Sequence, residues 1–211
     1  MNVIEALVLY AVLFLRGAAI QSSAGELINF SAVTELARIV LYNIPSLALV
    51  WYLLLKVKRL RAWGVGWPDK KDILPGLLSL GGLALTGFAV SLAAPLFSEI
   101  PAGPKFLPPE NTVSWIILVL SCISTGYLEE SFFRFYLLSK RGNADTGTLR
   151  AVLVSILFFS FCHVYEGPWG FLNAVLSGGL LSFVFLRSGS LHGIALAHGL
   201  YNILVYALAA L

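Results

Sequence analysis

Long apolar runs separated by short polar breaks dominate the chain. Residues 3–20, 33–55, 73–97, 112–138, 147–164, 168–187 and 190–210 are apolar over roughly the length a membrane span needs, about 20 residues. Each run predicts a helix, because an open sheet edge facing lipid would leave backbone groups unpaired. The expected fold class is therefore all-α: a polytopic membrane helix bundle with about seven transmembrane helices. No internal repeat is evident. The longest polar stretch is residues 56–72, which reads as a loop.

Composition agrees with that pattern. The chain is 58% hydrophobic and 12% charged, whereas a soluble domain has about a quarter charged residues. A globular domain carrying a single anchor is excluded. The net charge of +3 gives no reason to expect a nucleic-acid partner. Cys122 and Cys162 both fall in apolar runs and read as small core residues, not as a disulfide framework or zinc site. Residues 6–15 (ALVLYAVLFL) have the length of a signal-peptide core, and SSAG follows. But Glu5 precedes the run, no Lys or Arg does, and Arg16 interrupts it, so a first membrane helix is expected instead.

Charge asymmetry sets an expected orientation. Lys56, Lys58, Arg59, Arg61, Lys70 and Lys71 flank or occupy the 56–72 loop. Arg134, Lys140, Arg141 and Arg150 surround the 138–147 loop, and Arg187 borders the next turn on the same side. The opposite loops, 21–32, 98–111 and 164–168, hold Lys105 alone. The amino terminus is expected in the cytoplasm and the carboxyl terminus outside. Trp115 and Trp169 suit the outer interface, Trp63 and Trp67 the inner one. The Pro-rich stretch 101–109 (PAGPKFLPP) suggests a short cap over the outer end.

Few ionisable groups lie inside the spans: Glu5, Arg16, Glu35, Arg38, Glu129, Glu130, Arg134, His163 and His198. Each needs a reason to be there. Glu35 and Arg38, three residues apart, can pair with each other, and Glu5 reads as structural. In YLEESFFRF (127–135), the adjacent glutamates point about 100° apart on a helix and so cannot share one environment. Glu130 and Arg134, four apart, form an expected ion pair. Glu129 is then left without a neighbour on its own helix. A carboxylate without a counter-charge in a low-dielectric site is the group from which a general base near neutral pH is made. His163 ends the stretch FSFCH, one turn after Phe159. His198 and Asn202 share a face of the last span. They form either a helix–helix hydrogen-bonding pair or part of a site. His192, at the inner interface, reads as a surface residue. Helix rise places Glu129 about 16 Å from the inner end of its helix, His163 roughly 20–24 Å and His198 about 12 Å. Three polar groups on three helices thus reach the middle of one bilayer, which predicts a single buried polar site.

These residues fit three ordered motifs: EExxxR as Glu129–Arg134, FxxxH as Phe159–His163, and HxxxN as His198–Asn202. In this order on successive membrane helices, from about 112 to 210, the chain resembles the CPBP family. That family comprises the CAAX prenyl endopeptidases of the Rce1 type and the bacterial Abi or bacteriocin-processing proteins. On this resemblance residues 1–111 are amino-terminal helices and loops, and 112–211 are the catalytic core of one membrane domain. It implies an intramembrane endopeptidase. Glu129 would activate water with His163, which holds the water and relays its proton. His198 and Asn202 would stabilise the oxyanion. Glu130, Arg134 and Phe159 would support them. No cofactor is favoured, but Glu129, His163 and His198 with a water could hold zinc. The implied substrate is a membrane-anchored or C-terminally tagged peptide. The implied location is a bacterial inner membrane. Two other readings use the same residues: a solute or proton carrier, for which Gly178-Gly179 and Pro75 would break helices, and an inactive immunity partner.

Overall fold

A computed structural model describes residues 3–15, 27–28, 30–56, 66–97, 105–139 and 145–210. Arg16, Lys58, Arg59, Arg61, Trp63, Lys140 and Arg141 lie outside the described residues. Seven helical segments follow the apolar runs. Helix α1, Val3–Tyr10, continues as a π-helical turn, Ala11–Leu15. Helix α2 covers Ala32–Lys56 and α3 covers Lys70–Phe97. Helix α4 runs Thr112–Glu130 and changes to π-helical geometry over Ser131–Tyr136. Helices α5, α6 and α7 are Asp145–Phe161, Gly167–Ser188 and Leu191–Ala209. Among the described residues five helices, α2, α3, α4, α6 and α7, are long and apolar enough to cross a membrane. The apolar segments Ile4–Phe14 and Gly147–Phe161 are shorter than that.

The surface is what lipid demands. On α3, Leu77 and Leu85 are 63% and 68% exposed, while Ser79 is fully buried on the opposite face. A soluble helix would reverse that arrangement, because there the apolar stripe seeks the core. In lipid, apolar side chains gain nothing by turning inward, and small or polar residues make the helix contacts. The protein is an integral membrane helix bundle.

Helix α4 is the exception, since its carboxyl-terminal end is buried on all sides. Every residue from Glu130 to Leu138 is buried. Phe132, Phe133, Phe135 and Tyr136 pack there with Phe14, Phe159 and Phe185. Around this core, α7 packs chiefly on α4 and α3, while α6 packs on α5 and α3. Helix α2 lies along α4 and is tied to it by polar contacts. The Asn43 amide donates to the Ser124 and Thr125 hydroxyls, and the Trp51 indole donates to Ser131. Glu5 on α1 accepts from the Tyr136 hydroxyl at 2.6 Å.

Two junctions position the functional helices. Gly189, with φ of 67°, closes α6 in the left-handed region that favours glycine. Ser190 then caps α7 by accepting from the Gly193 amide, and donates its own proton to Asp72 at 2.5 Å. The second junction is closer still. A Cβ on Gly126 of α4 would stand 2.6 Å from the Ala195 carbonyl oxygen and 2.9 Å from the Gly199 nitrogen of α7. Backbone therefore meets backbone, the small-residue contact that membrane helices use to approach closely.

Three expectations need correction. His192 is buried, not on the surface. Its Nε2 lies 2.8 Å from the Gly66 carbonyl and its Nδ1 lies 3.1 Å from the Tyr127 hydroxyl, so the loop before α3 covers it. Helix α5 ends at Phe161, so His163 lies in the turn beyond it and not within a span. Helix α6 runs unbroken through Gly178 and Gly179, and α3 through Pro75, so neither is the broken helix a carrier would use. Outside the helices, Leu27–Ile28 and Lys105–Phe106 form a two-residue parallel pairing between the two loops expected on the outer side. Residues 101–104 of the expected cap lie outside the described residues.

Candidate active site

Glycine contacts bring the polar residues together. Gly126 lies one helical turn before Glu129 and Glu130, and Gly199 adjoins His198. The α4–α7 approach therefore carries both carboxylates to the imidazole. His198 Nδ1 lies 2.8 Å from Glu130 Oε1, and His198 Nε2 lies 3.8 Å from Glu129 Oε2. The first is a hydrogen bond and the second is too long for one. The two glutamates, set apart on their helix, are thus reached by opposite nitrogens of one ring.

The expected Glu130–Arg134 pair is present. Arg134 Nη1 donates to Glu130 Oε1 at 3.0 Å, and both side chains are fully buried. Arg134 also donates to the Gly178 carbonyl at 3.4 Å and stacks over the Phe159 ring at 4.2 Å. Gly178 leaves the room for this. A Cβ there would sit 3.3 Å from Phe159 and 3.6 Å from the guanidinium. Phe159 in turn lies 4.6 Å from the His163 ring and presents an edge-to-face contact to His198 at 5.7 Å. One aromatic ring therefore contacts Arg134 and both histidines.

The remaining residues are held less firmly. Glu129 is mostly buried, and its Oε2 has no hydrogen-bond partner. His163 Nδ1 lies 2.8 Å from the Phe159 carbonyl, an acceptor, so that nitrogen is the donor, and among the described residues Nε2 makes no hydrogen bond. Asn202 is half-buried, one turn after His198 on the same face of α7. Among the described residues no three His, Cys, Asp or Glu side chains are grouped to hold a metal ion. Glu129, His163 and His198, which with a water could hold zinc, are not drawn together into such a group as they stand, although each histidine has Nδ1 hydrogen-bonded to an oxygen and Nε2 on the other side, as zinc-binding imidazoles do.

The structural supports Gly126 and Gly199 were not singled out from sequence, and Gly178 was considered only as a helix breaker. Their signal was present, since two of them stand within a turn of the motif residues.

This arrangement defines a class: a membrane helix bundle with a buried acid–imidazole centre suited to water activation. Residues 111–204 match the family model described as Type II CAAX prenyl endopeptidase Rce1-like. The matched segment is a little under half of the chain and contains all three motifs, in agreement with their resemblance to that family. Residues 111–204 are thus similar to the Rce1-like family, which is one of proteases. No curated protein and no solved structure matches the chain.

Proposed function

We propose that the protein is an intramembrane endopeptidase in which Glu129 is the general base. One observation supports this reading above others: a largely buried carboxylate oxygen without a partner faces an imidazole nitrogen 3.8 Å away. At that length the two groups make no direct hydrogen bond, and a water bonded to both can serve in its place. Glu129 takes a proton from the water as its oxygen bonds to the scissile carbonyl carbon. His163 holds the water through its free Nε2. The carbonyl electron pair moves onto oxygen, and Asn202 and a protonated His198 Nε2 donate to that oxyanion. As the tetrahedral species collapses, the C–N bond breaks and Glu129 returns its proton to the leaving amine. The products are a new carboxyl terminus and a new amine.

The substrate is a peptide segment held at the membrane, since the site lies among spans. The bias of Lys and Arg supports a cytoplasmic amino terminus, and the resemblance favours a bacterial inner membrane.

The test compares protein and peptide termini by mass spectrometry in a deletion strain carrying wild type or Glu129→Gln. A defined terminus should appear only with the wild type, a loss of at least about 10³-fold in the variant. Identical termini from two stably inserted proteins would rule out the peptidase.

A further inference from the structure

Glu130 is fully buried, with no exposed atom through which to meet a substrate. Its bonding is also unlike that of an ordinary ion pair. A carboxylate serving only to neutralise an arginine would present both oxygens to the guanidinium fork. Here Oε1 alone accepts from Arg134 Nη1, at 3.0 Å, and the same oxygen meets His198 Nδ1 at 2.8 Å. Glu130 Oε2 and Arg134 Nε are left without partners among the described residues. The pair thus gives up its bidentate geometry, and the oxygen it retains is directed at the imidazole. A carboxylate can only accept, so the shared proton belongs to Nδ1. Phe159 fixes the plane of the same ring from its edge.

We propose that Glu130 is a positioning residue that acts through His198: held by Arg134, it keeps a proton on Nδ1 and turns Nε2 toward Glu129. This rests on the peptidase reading only for its consequence, not for its geometry. One imidazole spans the angle between two successive glutamates. The first glutamate is left for chemistry, and the second sets which nitrogen faces it. Losing Glu130 would let the neutral ring move its proton between nitrogens and rotate, and would withdraw the carboxylate that supports the second proton, on Nε2, which donation to the oxyanion needs, with Glu129 itself untouched.

Nitrogen-15 NMR of histidine-labelled full-length protein in lipid nanodiscs tests this, with His198 signals assigned by their loss in His198→Gln. At a pH where the ring is neutral, wild-type His198 should carry its proton on Nδ1. In Glu130→Gln paired with Arg134→Gln, which leaves no buried charge unmatched, the Nδ1–H to Nε2–H ratio should fall at least tenfold. A wild-type ring protonated on Nε2 overturns the proposal before any variant is made, and an unchanged ratio in the double variant also overturns it. The second readout is the peptidase activity of the same samples. The double variant should lose at least tenfold in kcat with KM held within twofold, a split that a general loosening of the fold would not produce. If the tautomer shifts as expected while the wild type cleaves no peptide, the positioning role stands and the peptidase reading fails.

Discussion

Among its described residues the protein holds two glutamate–arginine pairs within its membrane helices, and they do different things with the same chemistry. Glu35 and Arg38 on α2 are three residues apart and 2.5 Å from each other, with their side chains 17% and 34% exposed. Their third partner is Ser121 of α4, which accepts from Arg38 at 2.7 Å and donates to Glu35 at 2.5 Å. That cycle closes on itself and fastens α2 to α4. Glu130 and Arg134 are four residues apart and fully buried, and their third partner is His198. That cluster does not close, because the imidazole passes its orientation on to Glu129. A charge pair inside a membrane is therefore not diagnostic of a site. What distinguishes the second pair is a titratable third member with a free side.

Breaking the buried pair should have the larger effect. Arg134→Ala strands a carboxylate at a fully buried position, and unfolding in detergent should show a loss of about 3–5 kcal/mol. Next comes the contact that delivers His198 to both glutamates. Gly126→Val drives a branched side chain into the α7 backbone, which cannot yield as a side chain could. It should cost about 1–3 kcal/mol in the same assay and remove more than nine-tenths of any peptidase activity. Glu35→Gln should cost roughly 0–1 kcal/mol, because that pair lies in the first two turns of α2, at the end of its span, and Ser121 remains to bond the amide. If Glu35→Gln proved as damaging as Arg134→Ala, the contrast between the pairs would be lost. The smallest effect is expected at Gly81, where an added Cβ meets nothing within 4 Å. Gly81→Ala should be neutral or raise stability by up to about 1 kcal/mol through the lower helical cost of alanine.

The helices were legible in the sequence because apolar runs of span length leave little choice of structure. Their ends were less so. The apolar run before His163 continues past Phe161, and nothing in its hydropathy marks the turn that places His163 beyond α5. The Glu130–Arg134 and Glu35–Arg38 pairs followed from spacing on a single helix. The link from Glu130 to His198 did not, because angular arithmetic on α4 separates the glutamates and says nothing of a ring from another helix that reaches both. His192 was misread for the same reason. Its partners, Gly66 and Tyr127, come from elsewhere in the chain, and a lone histidine near a span end carries no sign of them. The catalytic assignments themselves came from motif order and await the experiments above.

The contact between Gly126 and Gly199 also has a mechanical consequence. Two backbones touching without intervening side chains have no rotamers through which to slacken, so α4 and α7 tilt as one stave when bilayer thickness changes. The spacing of Glu130 from His198 is thereby insulated from the lipid composition around it.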